Sequence, residues 1–117
     1  MPKTRVAIAG AGYIGQAHAG VLHDSPTCSL SAIVDPAPGA AALAAAARVP
    51  LYASLEELFA RDKPDGVVLA TPNQLHVEHA LRCMDAGLPM LLEKPLAPTF
   101  AEGERLVQAA ERCGAKI

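Results

Sequence analysis

The sequence predicts an α/β fold, a parallel sheet wound on both faces by helices, and three observations carry that prediction. Short apolar runs alternate with segments of helical period along the 117 residues, as strand–helix–strand units require. One of those runs, "GVVLATP", is apolar throughout rather than at alternate positions, the mark of a parallel strand covered on both faces. Hydrophobic residues make up 51% of the chain and aromatics 3%, so the enclosed core is aliphatic and alanine-rich.

The elements follow in order. "RVAIAG" is the first strand and "GYIGQAHAGVLHD" the first helix, stopped at Ser25-Pro26 because proline disfavours helical backbone in the residue before it. "CSLSAIVD" is the second strand. Seven of the eight residues from Ala40 to Ala47 are alanine, so "GAAALAAAARV" is a strong helix former, closed by Pro50. "LYA" is a short third strand, and Ser54 with Glu57 forms an S-x-x-E capping box that opens the helix "LEELFARD". "GVVLATP" is the fourth strand. In "NQLHVEHALRCMDAG" the residues Val77, Ala80, Leu81 and Met84 share one helical face, and Gly87 stands where a left-handed cap ends a helix. "LPMLLE" is the fifth strand, and a second capping box, Thr99 with Glu102, opens a helix that runs to Gly114. The closing "AKI" reads as the opening of a sixth strand cut short.

Composition excludes several classes of function. Net charge is −2 with both signs interspersed, without the basic block that a nucleic-acid surface needs. No apolar run approaches the roughly 20 residues of a membrane span, and the short one near the N-terminus leads straight into glycines, unlike a signal peptide. A cytoplasmic protein is expected. Cys28, Cys83 and Cys113 are an odd set without CxxC spacing, which favours reduced thiols over a disulfide framework. His76, His79 and Cys83 share a helical stripe, but zinc sites rarely draw three ligands from one helix, so no metal is expected.

The chemistry concentrates at strand ends. "GAGYIG" places Gly10, Gly12 and Gly15 in G-x-G-x-x-G spacing after a strand and at the opening of a helix. Gly10 permits the tight turn, Gly12 lets backbone approach a pyrophosphate, and Gly15 lets the helix pack on the strand. The amides around Tyr13 and Ile14 then face an anion along the helix dipole. Asp35 ends the second strand twenty residues beyond Gly15, where an acid accepts the hydroxyls of an adenosine ribose. Strand, loop, helix and acid together predict a Rossmann-type dinucleotide site with strand order 3-2-1-4-5. The charge of Asp35 repels a 2′-phosphate, and Pro36 and Ala37 offer no arginine to hold one, so NAD is expected over NADP.

Ligands of open parallel sheets lie outside the carboxyl ends of the strands, which brings "ATPNQLH" and "LEKP" to the same crevice as the glycine loop. The first offers Thr71, Pro72, Asn73 at a helix N-cap position, and His76; the second ends an apolar strand in Glu93 and Lys94. An ammonium at that place stabilises the alkoxide that develops when an alcohol loses hydride and proton. Lys94 is suited to that role, and Glu93 to accepting bonds from a ribose or orienting the lysine.

"GAGYIG", "VDP" and "ATPNQLHVEHALRCMDAGLPMLLEKP" together resemble the N-terminal domain of the glucose–fructose oxidoreductase, inositol dehydrogenase and MocA family of NAD(P)-dependent oxidoreductases. The likeness covers essentially the whole chain. It implies that Gly10, Gly12, Tyr13, Ile14 and Gly15 form the pyrophosphate loop and that Asp35 is the ribose acid. It also implies that Thr71, Pro72, Asn73 and His76 line the central and nicotinamide-ribose region. In the E-K-P motif it gives Glu93 a place at the cofactor and makes Lys94 the residue facing nicotinamide ribose and substrate, before a lysine–proline peptide that is commonly cis. The substrate so implied is a sugar, polyol or related cyclic alcohol.

Members of the family continue into a second domain that supplies most substrate contacts and a catalytic histidine. Residues 1–117 therefore correspond to the dinucleotide-binding domain, and this portion is expected to bind cofactor but to be inactive alone. Without the sixth strand an apolar sheet edge stays open, and self-association into a homo-oligomer is expected. Two other readings share the glycine loop: a non-catalytic NAD-binding sensor or regulatory module, against which "EKP" speaks, and an imine reductase in which Lys94 protonates instead.

Overall fold

A computed structural model describes residues 2–117. Five parallel strands form one sheet in the order β3-β2-β1-β4-β5: β1 (Thr4–Ala9), β2 (Cys28–Val34), β3 (Leu51–Tyr52), β4 (Gly66–Leu69) and β5 (Met90–Leu92). The connecting helices are α1 (Tyr13–Asp24), α2 (Ala40–Ala47), α3 (Leu55–Arg61), α4 (His76–Asp85) and α5 (Phe100–Cys113). This is the expected doubly wound Rossmann sheet, and strand order reverses between β1 and β4.

The period of two along the strands sorts residues between the two layers. On one face Ala7, Ala9, Val34, Val67 and Leu69 pack against Leu55 and Leu58 of α3, Val77, Ala80 and Cys83 of α4, and Leu106 of α5. On the other, Ile8, Ile33 and Val68 meet Ala19 of α1 and Ala44 of α2. Ala7, Ile8, Ala32, Ile33 and Leu69 are wholly buried, so the carboxyl halves of the central strands are apolar on both faces.

The N-cap half of each expected box forms: the amide of Glu57 donates to Ser54 Oγ, and that of Glu102 to Thr99 Oγ1, each at 3.2 Å, while Glu57 Oε2 turns back to the Ala53 amide rather than to that of Ser54. Gly87 and Gly114 take positive φ after α4 and α5, as expected of left-handed caps. Two boundaries differ from expectation. Helix α2 ends before Pro50 because Arg48 already turns left-handed, at φ 57°. Asn73 does not cap α4: Pro72 occupies the N-cap position of a single 3₁₀ turn (Asn73–Leu75), and its carbonyl accepts the Leu75 amide at 2.9 Å. Asn73 thereby becomes the first residue of that turn, with its side chain unused as a cap.

The segment after α5 does not form a sixth strand, although the Met90 amide donates to the Lys116 carbonyl at 3.0 Å beside β5. Among the described residues no helix is long and apolar enough to cross a membrane. All three cysteines are free, and no group of metal-ligating side chains comes together among the described residues.

Candidate functional site

The crevice opens at the carboxyl end of the sheet, where β1 and β4 part. Gly10 leaves β1 at φ 104°, and a Cβ there would stand 2.4 Å from the Ala70 carbonyl oxygen of the neighbouring strand exit. Gly15 lies where α1 crosses the loop, and a Cβ would meet Gly10 O at 1.8 Å. Both glycines are thus required by close backbone approach. Gly12 differs, since a Cβ there would project into open space with nothing within 4 Å. That space lies before the first amides of α1 and admits a pyrophosphate, so the loop fits a dinucleotide.

Asp35 enters the same crevice from the end of β2. Its Oδ2 accepts the Ala11 amide and its Oδ1 the Ala37 amide, each at 2.8 Å. The carboxylate therefore fixes the glycine loop to the second strand, and each oxygen keeps a lone pair for a ribose hydroxyl.

The cavity between these parts has a volume of about 650 Å³. Of the residues expected at the cofactor, Gly10, Gly12, Tyr13, Ile14, Asp35, Thr71 and Pro72 line it. Gly15 is buried beneath the loop as a packing residue. Asn73 stands exposed beside the cavity rather than in its wall.

His76 is placed differently from the expectation that it lines the crevice. It is 1% exposed, with Nε2 2.9 Å from Thr71 O and Nδ1 2.7 Å from Pro95 O. Its ring lies under the two strand exits and ties them together. The histidine in the cavity wall is His79, one helical turn further, whose Nδ1 shares a 3.0 Å hydrogen bond with Thr71 Oγ1. Burial holds the His79 imidazole below its ordinary pKa, opposed by Glu78 and reinforced by His76.

Leu75, Glu78 and Arg82 also line the cavity, and the sequence did not single them out. Arg82 is paired with Glu56 across the cavity and with Glu78 on its own helix. Helical spacing from Leu75 through Glu78 to Arg82 was the one available signal, and solvated polar faces show the same spacing.

Glu93 and Lys94, also expected at the cofactor, leave β5 beside the β4 exit and outside the lining of this cavity, where the Glu93 amide donates to Leu69 O at 3.0 Å. The Lys94–Pro95 peptide is cis. Glu93 Oε2 lies 2.8 Å from His18 Nε2 of α1, and Oε1 accepts the Lys94 amide at 3.3 Å. The hydrogen bond from His18, then that from the Lys94 amide, holds the Glu93 carboxyl below its ordinary pKa. Lys94 itself is exposed, so its ammonium is free to meet a ligand on the open side.

A family model described as the Gfo/Idh/MocA oxidoreductase family, NAD-binding Rossmann fold, matches residues 4–117. The chain belongs to this family. The expected likeness and its Rossmann fold are therefore both found, and the family is NAD-binding. Among curated relatives, an inositol 2-dehydrogenase of Leifsonia xyli is 39% identical over 109 residues, which are 92% of this chain and 32% of the relative. A 4-carboxy-2-hydroxymuconate-6-semialdehyde dehydrogenase of Sphingobium is 35% identical over 112 residues, 94% of this chain and 36% of the relative. The WlbA dehydrogenase of Bordetella pertussis, solved with NADH and UDP-GlcNAcA, superposes with a TM-score of 0.91 at 33% identity, over 97% of this chain and 36% of that one. The chain spans about a third of the length of the curated relatives it matches.

Proposed function

We propose that this Gfo/Idh/MocA chain is the nucleotide-binding domain of an NAD-dependent oxidoreductase acting on a sugar, polyol or related cyclic alcohol. What supports the reading is that the Gly12 opening and Asp35 share one cavity and that β5, which runs into Lys94, ends at the same carboxyl edge of the parallel sheet. The cofactor, when bound, supplies the hydride acceptor. The protein's share is to hold the pyrophosphate at α1, to keep the ribose on Asp35, and to hold the Lys94 ammonium where a hydroxyl gives up its proton. A second domain provides the remaining substrate contacts and proton acceptor, and the intact protein is a cytoplasmic homo-oligomer. The relatives' names support a small-molecule substrate, and they range from an inositol to a semialdehyde.

NAD is favoured over NADP because Asp35 is anionic and the nearby Arg82 is already engaged by Glu56 and Glu78. Calorimetric titration of the 117-residue chain with NADH and with NADPH tests the cofactor reading, and tighter binding of NADPH refutes the preference. In the intact protein Lys94→Ala loses turnover while keeping NADH affinity; undiminished turnover refutes the role of Lys94.

A further inference from the structure

We infer that His18 and His76 are positioning residues that hold the Lys94 turn from opposite sides. The inference rests on the catalytic role proposed for Lys94 above. Its basis is how the residues before and after Lys94 are held.

On one side, Glu93 places Oε2 at 2.8 Å from His18 Nε2 and takes the Lys94 amide on Oε1 at 3.3 Å. The carboxylate therefore bridges a histidine of α1 to the lysine's own backbone. On the other side, the carbonyl of Pro95 lies 2.7 Å from Nδ1 of His76, at the start of α4. Helices α1 and α4 pack on opposite faces of the sheet, so the turn is gripped from both layers.

The two grips join different parts of the crevice to Lys94. His18 sits five residues into α1 from Tyr13, about 7.5 Å along the axis from the helix start. The helix whose first amides face the pyrophosphate thus also fixes Glu93. His76 reaches Thr71 O with Nε2 at 2.9 Å, so its ring joins the β4 exit to the β5 exit. A neutral ring has one N–H to give to one of its two carbonyls, and an imidazolium serves both. Lys94 is exposed, and its held backbone sets the point and direction from which the side chain reaches toward the crevice. Displacement of a reacting group by about 1 Å can cost about 10²-fold in rate.

The bland reading of His18 is a partly buried surface pair, and that of His76 a core filler. Substitutions matched to each ring nitrogen separate these from the proposed role, because a glutamine amide replaces Nε2 and an asparagine amide replaces Nδ1. In the intact protein, His18→Leu is expected to lower kcat about tenfold or more with NADH affinity unchanged, and His18→Gln to recover most of the loss. His76→Asn, whose amide reaches toward Pro95 O, is expected to retain more turnover than His76→Gln, whose amide reaches only toward Thr71 O.

A measurement on the 117-residue chain needs no activity: carbon-13 titration of Glu93, whose midpoint rises toward the ordinary glutamate value in His18→Leu. Wild-type kcat in His18→Leu beside an inactive Lys94→Ala overturns the inference, as does equal turnover in the two His76 variants. Should both His76 variants fail to fold, the His18 pair decides. If Lys94→Ala stays active, the proposed function falls instead. An unmoved Glu93 midpoint in His18→Leu overturns the mount whatever the enzyme does.

Discussion

Replacing Gly15 and Gly12 one at a time with alanine separates fold from cofactor binding within a single loop. At Gly15 the new Cβ would lie 1.8 Å from Gly10 O, whereas carbon and carbonyl oxygen approach to about 3.3 Å. Loop and helix must part by about 1.5 Å, against backbone atoms that no side-chain rotation can clear. Overpacking on that scale costs about 3 kcal/mol, which for a domain of this size lowers Tm by about 10 °C. The amides facing the crevice move with it, so NADH affinity falls too. At Gly12 the Cβ meets nothing within 4 Å and φ is −75°, so alanine changes stability by no more than about 0.5 kcal/mol. That same Cβ fills the space proposed for the pyrophosphate, so NADH binding is lost from a normally melting protein. Circular dichroism melts and calorimetric NADH titration of both variants measure the contrast. A Gly15→Ala protein that melts like wild type, or a Gly12→Ala protein that binds NADH undiminished, refutes the reasoning.

Three further outcomes are expected. Ser54→Ala removes the oxygen that accepts the Glu57 amide at the start of α3 and destabilises the chain by about 1 kcal/mol in urea unfolding; an unchanged midpoint contradicts it. Because the folded pKa of Glu93 lies below the ordinary value, its contribution to stability is full above the unfolded pKa of about 4.3 and disappears as pH falls through the folded pKa. Glu93→Gln therefore flattens the acid limb of a Tm-against-pH curve and leaves neutral pH values closer to those at low pH. Burial pushes the Cys83 thiol up to about 12, so iodoacetamide at about pH 8 labels exposed Cys113 first and reaches Cys83 only on unfolding, as peptide mass spectrometry will show.

The parts of the fold that were legible are those with short-range determinants. Ser54 with Glu57 and Thr99 with Glu102 act within one helical turn, and both bonds form as their spacing requires. The aliphatic runs of β1 and β4 specify strands because few other residue sets tolerate burial on both faces. Asn73 misleads for the converse reason: a good capping residue follows Pro72, and that carbonyl opens a 3₁₀ turn before the helix proper begins.

By itself the sequence determined the strands and helices, the glycine loop with its acid, and the placing of "EKP" at a strand end, because each depends on residue type and local spacing; the sheet order followed only from the likeness of strand, loop, helix and acid to a Rossmann-type site. Tertiary structure alone decided what the histidines do. His76 and His79 lie one turn apart on α4, yet one is buried between two strand exits and the other lines the cavity. His18 carries no local signal at all, since its partner Glu93 is 75 residues away. A hydrogen bond between distant residues exists only once α1, α4 and the ends of β4 and β5 are packed on one sheet, and no periodicity along the chain encodes that meeting.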